Sequence, residues 1–215
     1  MKKVIVIGCP GSGKSTFSKD LAIKTGLPLF HLDLLYWNAD RTIVEESIFH
    51  QRINEIIQKD EWIIDGNYGS TMELRLQKCY TVFFLDYPLE VCLNGIKERK
   101  GKIRPDMPWQ EKEDEEDIEF NNFIKNFNMQ NRPKIIELLK KYSYKEIYIF
   151  KNRNEAEEFI FQLEKKMYKN ILNFYFKKSM TIAVSKYFLL TSFLKSTFCI
   201  LFWIKFCDYH RIKTN

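Results

Sequence analysis

A run near the start of the chain, Gly8-Cys9-Pro10-Gly11-Ser12-Gly13-Lys14-Ser15, has the residue types and spacing that hold a polyphosphate. It fits the pattern GxxxxGK[ST] in full, after a strand-like run and before a helix-like one. Glycines let such a loop wrap closely round phosphate oxygens, with successive N–H groups and a helix N-terminus directed at them. The alternative is a glycine-rich turn without a ligand, but such a turn does not need a strand before it and a helix after it. We therefore expect the loop to bind ATP together with Mg²⁺.

Two side chains at the end of this loop have specific expected roles. Lys14 would reach the β and γ phosphates and act in catalysis, and the Ser15 hydroxyl would ligate Mg²⁺. An N-K-x-D guanine motif is absent from the sequence, and the chain is too short for an AAA+ motor with its helical lid. Among the classes of P-loop protein, this leaves the small phosphotransferases. The residues expected to contact the nucleotide are Gly8, Pro10, Gly11, Ser12, Gly13, Lys14, Ser15 and Thr16.

Two carboxylates follow apolar runs that read as strands, the place where ligands bind in parallel sheets. Asp33 would face the γ phosphate and either accept a proton from an acceptor hydroxyl or hold Mg²⁺ through water; otherwise it caps a turn. Asp65 ends the run Trp62–Ile64 as a Walker B carboxylate does. We expect Asp65 to hold Mg²⁺ through bound water rather than only to shape a turn.

Polar residues after Asp65 suggest an acceptor site. Asn67 and Tyr68 would contact an acceptor by hydrogen bonding and stacking, although Tyr68 would serve equally well in packing. Arg75, on the helix that follows, would clamp a phosphate or carboxylate of the acceptor, with an ordinary surface position as the alternative. Together with Asp33, these three residues form the expected acceptor-binding set.

A basic segment lies further along the chain, at residues 99–104. We expect it to begin a lid-like insertion of about residues 99–128, in which Arg99 and Arg104 neutralise charge on the transferring phosphoryl group. A solvated charged loop is the alternative. The seven acidic residues between 111 and 119 indicate the start of a helix, favoured by the helix dipole, rather than a metal site.

Strand-like and helix-like stretches alternate over the first 165 residues. This alternation predicts an α/β fold, with a parallel sheet covered by helices on both faces and the strand ends gathered at one edge. The strands are expected at residues 3–7, 29–32, 62–64, 82–85 and 146–150. The helices are expected at residues 14–25, 45–59, 89–100, 113–127, 132–142 and 154–166, with one more after Asp65 that carries Arg75.

The charge is distributed unevenly along the 215 residues, whose net charge is +6. Residues 1–165 carry a net charge of −2, whereas residues 166–215 contain nine Lys and Arg but only one acidic residue, Asp208. We therefore expect a domain at residues 1–166 that does not bind nucleic acid directly, followed by a basic, aromatic tail at residues 167–215. The five cysteines contain no CxxC pair, and a cytoplasmic location is expected.

Several stretches resemble a known bacterial family, the "DNA topology modulation proteins" (FlaR-type), which are adenylate-kinase-related P-loop kinases. The resemblance covers roughly residues 1–165 and rests on GCPGSGKST, HLD-x3-W, WIIDGNY and FLDYPLEVCL. It implies a P-loop NTPase three-layer sandwich with a five-stranded parallel sheet, ATP and Mg²⁺ as cofactors, and phosphotransfer to a small acceptor. Adenylate kinase itself is less similar, because its DGFPR stretch is matched only by Asp65-Gly66.

The sequence thus predicts a phosphotransferase acting on a nucleotide, a nucleoside or a hydroxylated metabolite. The alternative is a nucleotide-binding regulatory protein that affects DNA topology without significant kinase activity. The tail at residues 167–215 could be a membrane-contacting helix, a partner-binding segment or a product of translation past a lost stop codon. Lys195, in the middle of the apolar run 187–204, makes a membrane-spanning helix marginal.

Overall fold

The strands of the computed structural model form from short runs rich in β-branched and aromatic residues. They are β1 (Lys3–Gly8), β2 (Leu29–His31), β3 (Trp62–Asp65), β4 (Thr81–Leu85) and β5 (Glu146–Phe150). The helices are α1 (Lys14–Thr25), α2 (Leu32–Tyr36), α3 (Glu46–Ile57), α4 (Gly69–Lys78), α5 (Leu89–Arg99), α6 (Ile118–Gln130), α7 (Arg132–Lys141) and α8 (Arg153–Ser185). The structure describes residues 1–102, 104–109 and 118–185.

The strands make one parallel sheet in the order β2-β3-β1-β4-β5. The central strand β1 pairs with β3 on one side, where Val4 lies beside Ile63, and with β4 on the other, where Val4 lies beside Thr81. Residues 4–7 are fully buried, so both faces of β1 are covered. This burial explains why the strand reads as a continuous apolar run rather than an alternating one.

Aromatic rings fill the layer between the sheet and the helices beside β4 and β5. Phe83 of β4 is fully buried, with its ring centroid 5.0 Å from that of Phe17 in α1 and 5.0 Å from that of Phe159 in α8. It also stacks on Tyr148 of β5 at 5.1 Å. These contacts attach both α1, which follows the phosphate loop, and α8 to the sheet.

The phosphate loop leads directly into α1, and the two ends of this helix depend on glycine. Gly13 precedes the helix with φ 90°, and Gly26 ends it with φ 72°, both in the left-handed region that favours glycine. The Gly26 N–H donates to the Ala22 carbonyl at 2.8 Å, as in a common helix C-cap. The helix therefore starts at Lys14, with its N-terminus facing the loop.

The polar strand ends gather at one edge of the sheet, as predicted. Because all five strands run the same way, Gly8, His31 and Asp65 end β1, β2 and β3 at that edge. Asp86, just after β4, accepts hydrogen bonds from Arg132 at 2.7 and 2.8 Å and one from Lys151. This carboxylate therefore joins β4 to α7 and to the end of β5.

The expected elements are present, with different ends at several places. The short helix α2 was not anticipated; it begins at Leu32, so that Asp33 lies in its first turn. Helix α8 continues to Ser185, well beyond the predicted end at residue 166. The acidic run is described only from residue 118 onwards, and the apolar run 187–204 lies wholly outside the described residues.

The chain divides into two compact units, Met1–Leu163 and a second that begins at Glu164. The predicted boundary between domain and tail at residue 166 stays a prediction. Within the described part of the chain, the helices lack the combination of length and hydropathy that a membrane span requires.

Replacing Phe83 by alanine should lower the free energy of unfolding by about 3–5 kcal/mol, because it leaves a cavity among the rings of Phe17, Tyr148, Phe150 and Phe159. Equilibrium urea unfolding measures this change through the midpoint. The control Ile23→Ala, at a side chain that is 75% exposed, should change it by no more than about 0.5 kcal/mol. Equal effects of the two substitutions would contradict the described core.

Candidate active site

The phosphate loop is shaped by close contact with α5. Gly11 has φ 80°, and a Cβ added there would lie 2.0 Å from the Cys92 carbonyl oxygen. No other residue type fits such an approach of two backbones. The Ser12 N–H donates to the Cys9 carbonyl at 3.1 Å and closes the turn, so that the following residues enter α1 at the N-terminal end, where anions bind.

Lys14 lies inside this loop, where its ammonium donates to the Cys9 carbonyl at 3.0 Å. Desolvation lowers the pKa of Lys14, while the charges of Asp33 and Asp65 oppose that decrease. The two strand-end carboxylates therefore lie close enough to the loop to act on its lysine. The catalytic and metal-binding roles expected of Lys14, Asp33 and Asp65 stay predictions.

Asn67 joins the segment after β3 to the end of β1. Its side-chain oxygen accepts from the Gly8 N–H at 3.1 Å, and its side-chain nitrogen donates to the Gly8 carbonyl at 2.7 Å. The amide thus pairs with Gly8 much as a neighbouring strand would. Asn67 therefore supports the phosphate loop, and its expected acceptor-binding role stays a prediction.

Arg75 is fully buried and hydrogen-bonds to the same segment, residues 66–68. Its guanidinium donates to the carbonyls of Gly66 at 3.0 Å, of Tyr68 at 3.1 Å and of Asn67, while its Nε donates to Thr71. Burial lowers the pKa of Arg75 to about 9, which still leaves it protonated at neutral pH. The expectation that Arg75 clamps an acceptor was wrong, because its N–H groups point into the protein.

Asp65 is 4% exposed and pairs with His31, whose Nδ1 lies 2.8 Å from the carboxylate Oδ1. The other oxygen, Oδ2, is buried without a hydrogen-bond partner among the described residues. A buried carboxylate oxygen with no partner beside a phosphate loop fits a cation's bound water. The residues present therefore fit Mg²⁺, with Ser15 and Asp65 as the groups that would hold it.

Asp33 and Tyr68 form the centre of the acceptor side. The Tyr68 hydroxyl donates to Asp33 Oδ1 at 2.6 Å. Burial raises the pKa of Asp33, while the hydrogen bond from Tyr68 and the charge of Lys14 oppose that increase. Tyr68 has φ 36°, a strained conformation for a non-glycine residue.

Aromatic rings pack against Tyr68 and against one another on this side of the site. The Tyr36 ring lies 4.7 Å from that of Tyr68, and the Trp37 ring lies 5.1 Å from that of Trp109. The Arg41 guanidinium lies 6.0 Å from the Trp109 ring. Trp37, just after α2, therefore packs against Trp109, which lies in the segment after α5.

The described part of the basic segment also reaches the site. The charge of Arg99 contributes to lowering the pKa of Lys14, and the charge of Arg104 acts on Asp33. Ile103 and residues 110–117 of the expected lid lie outside the described residues. Arg99 and Arg104 thus lie close enough to Lys14 and Asp33 to affect their pKa values, and their expected role of neutralising charge on the phosphoryl group stays a prediction.

Asp106 is a site residue that the sequence analysis missed. It is 4% exposed, ion-paired with Arg104 at 2.8 Å and 3.6 Å from the ammonium of Lys19 in α1. Burial opposes its ionisation, but the bond from Arg104 and its charge hold the pKa well below the usual range. Its signal in the sequence was its position just after the basic cluster, in Arg104-Pro105-Asp106.

Replacing Arg75 by lysine should lower the free energy of unfolding by about 2–3 kcal/mol, because loop carbonyls then lose their donors inside the protein. Thermal and urea unfolding measure the loss. The control Arg153→Lys, whose side chain is 43% exposed, should shift it by no more than about 0.5 kcal/mol. Native stability of Arg75→Lys would contradict a structural role for this guanidinium.

Comparison with known proteins supports the fold. A shikimate kinase from Rhodococcus jostii is 36% identical over 98 residues, which cover 39% of this chain and 58% of that protein. An adenylate kinase from Thermotoga neapolitana is 32% identical over 94 residues, covering 42% of each chain. The chain therefore spans about half the length of the curated relatives it matches. No family model matches it.

Among solved structures, a shikimate kinase from Acinetobacter baumannii in complex with shikimate has a TM-score of 0.51 and 15% sequence identity. The match covers 79% of this chain and 94% of that one. The resemblance to the DNA topology modulation proteins stays a prediction from the sequence. The five-stranded, all-parallel sheet and the structural relative together show that this chain has the fold of the P-loop kinases.

Proposed function

We propose that this chain is an ATP- and Mg²⁺-dependent phosphotransferase that acts on a hydroxyl group of a small acceptor. The observation that supports the proposal is that Asp33, just past the end of β2, and the phosphate-loop lysine, Lys14, lie close enough for the charge of each to affect the pKa of the other. A protein that only binds nucleotides needs the loop but has no use for a buried carboxylate facing it. A kinase needs both.

The phosphate loop supplies the groups that would hold the nucleotide. The N–H groups at the start of α1 and the Lys14 ammonium would bind the phosphates, while Ser15 and Asp65 would hold the metal ion. When bound, ATP supplies the phosphoryl group, and Mg²⁺ neutralises part of its charge. The protein's own part is to fix these groups in position and to exclude water.

Asp33 would orient the acceptor hydroxyl and accept its proton. Its pKa, raised by burial, brings it closer to the working pH, which makes a carboxylate a better general base. Tyr68 holds Asp33 in place through its hydroxyl. Arg99 and Arg104 carry charges close to Lys14 and Asp33 and would offset the negative charge of the transition state.

The acceptor class follows from the groups around Asp33. A carboxylate with aromatic side chains in the same region suits a small molecule with a ring or carbon chain and a free hydroxyl. A nucleoside, a nucleoside monophosphate and a hydroxylated metabolite all meet this description. The fully buried Arg75 contributes nothing to binding an acceptor anion.

The decisive experiment is ADP release by the full-length chain with Mg²⁺ and ATP, across nucleosides, monophosphates and hydroxy acids including shikimate. One acceptor should raise the rate well above that with ATP alone. Lys14→Ala should abolish this rate. Asp33→Asn should lower it about 10²–10⁴-fold while ATP affinity stays within about threefold, because the base acts on the acceptor and not on ATP.

The control for both substitutions is Asp60→Asn, at an exposed position between α3 and β3. It should leave the rate unchanged. An Asp33→Asn variant with the wild-type rate would remove Asp33 from the reaction. Tight ATP binding without stimulation by any acceptor would contradict the kinase proposal and favour a nucleotide-dependent regulatory protein.

Tyr68→Phe should shift the acid limb of the pH profile of kcat/KM to higher pH. The Tyr68 hydroxyl stabilises ionised Asp33, so removing it raises the pKa of Asp33 further. A base works only when deprotonated, so activity is present above this pKa and lost as the pH falls through it. Tyr36→Phe, which keeps the bond between Tyr68 and Asp33, should leave the profile in place. A shift to lower pH would contradict this assignment.

A further inference from the structure

His31 and Asp65 are the last residues of β2 and β3, and the parallel register places them side by side. Side chains alternate between the two faces of a strand, so these register partners stand on the same face of the sheet. The His31 Nδ1 lies 2.8 Å from Asp65 Oδ1, and the two side chains are 11% and 5% exposed. The ends of two neighbouring strands therefore carry one nearly buried polar pair.

The direction of this hydrogen bond follows from its chemistry. A carboxylate has no proton to give, so the His31 Nδ1 carries the proton and donates it to Oδ1. The carboxylate cannot turn about its bond to Cβ without losing this donor inside the protein. Because the two oxygens belong to one rigid group, holding Oδ1 also fixes the position of Oδ2.

The fixed oxygen, Asp65 Oδ2, is buried without a hydrogen-bond partner among the described residues. Such an oxygen is costly to bury, and an ion or its bound water can offset that cost. On its other side, Asp65 is the register partner of Val6 in β1, two residues before the phosphate loop begins at Gly8. The unpartnered oxygen thus belongs to a residue beside the loop that is expected to hold Mg²⁺ and ATP.

A purely structural role explains this pair less well. The backbones of β2 and β3 are already paired at this register, from Leu29 to His31. Apolar side chains of similar size hold neighbouring elements together at least as well as a buried charged pair does. The histidine is better explained by what it does to the carboxylate than by attachment of one strand to the other.

We propose that His31 is a positioning residue for the nucleotide's Mg²⁺. It holds Asp65 by one oxygen and so keeps the other in place for the water bound to the cation. The inference rests on the proposed function only in so far as the phosphate loop binds ATP and Mg²⁺. It requires no acceptor and no phosphotransfer.

The test measures ATP binding to the full-length chain by calorimetry, once with Mg²⁺ and once with EDTA. The ratio of the two dissociation constants reports how far Mg²⁺ strengthens binding. His31→Leu, which fills the space without a donor, should reduce this ratio about 10–100-fold, the loss expected when the partner of a metal-binding group is removed. Affinity in EDTA should stay within about threefold, which a general loss of structure would not spare.

Rescue by a conservative variant separates the donor from the bulk of the ring. His31→Asn keeps an N–H donor the same number of bonds from Cα as Nδ1, so it should keep the ratio within about threefold of wild type. Equal losses in His31→Asn and His31→Leu would overturn the inference, because the donor would then not be what matters. An unchanged ratio in His31→Leu would overturn it as well.

A double-mutant cycle with Asp65→Asn identifies the route. If His31 acts through Asp65, the double variant His31→Leu with Asp65→Asn should lose no more of the ratio than Asp65→Asn does alone. Additive losses would overturn the proposed route. Should His31→Leu fail to fold, His31→Gln keeps a donor but displaces it by one methylene, and the loss of the ratio is expected there too.

His50→Leu is the matched control, because it makes the same change on α3. The His50 ring pairs with Glu46 of its own helix at 3.6 Å, and its side chain is 36% exposed. This variant should keep the wild-type ratio. A loss equal to that of His31→Leu would mean that any such change weakens the effect of Mg²⁺, and it would overturn the inference.

The outcome for the wild-type chain separates this inference from the proposed function. If the wild-type chain fails to bind ATP, both are wrong. If it binds ATP more tightly with Mg²⁺ and His31→Leu leaves that difference intact, only the role of His31 is wrong.

Discussion

The candidate site depends on one buried cation, Arg75, which is solvated by backbone carbonyls. A guanidinium removed from water needs acceptors for its donors, and residues 66–68 supply them. This requirement fixes the path of that segment. Asn67 then holds the phosphate loop at Gly8, and Tyr68 holds Asp33. The nucleotide side and the acceptor side are therefore positioned by the same three residues.

Much of the fold could be predicted because its signals are local. Continuous apolar runs such as residues 4–7 indicate strands buried on both faces, and glycines at fixed places indicate the loop and the end of α1. Because parallel strands end at the same edge of a sheet, Asp33, Asp65 and Lys14 could be predicted to lie at that edge. The end of α8 could not be predicted from the boundary at residue 166, because no proline or glycine interrupts the helix there.

The roles of polar side chains were harder to predict, because a residue type does not reveal where its donors point. Asn67 and Arg75 have the chemistry of ligand-binding residues, yet their partners are backbone groups. Asp106 was missed for the opposite reason: one of its partners, Lys19, is remote in the sequence. Only the folded chain shows which of these polar groups bind to other parts of the protein.

The left-handed backbone of Tyr68 has a consequence for how this site can change over evolution. Glycine would relieve the strain at φ 36°, but it would remove the hydroxyl that holds Asp33. Substitutions that stabilise the loop and substitutions that preserve the chemistry therefore exclude one another at this position. Greater stability must come from elsewhere in the domain, and the conflict at Tyr68 persists for as long as Asp33 is in use.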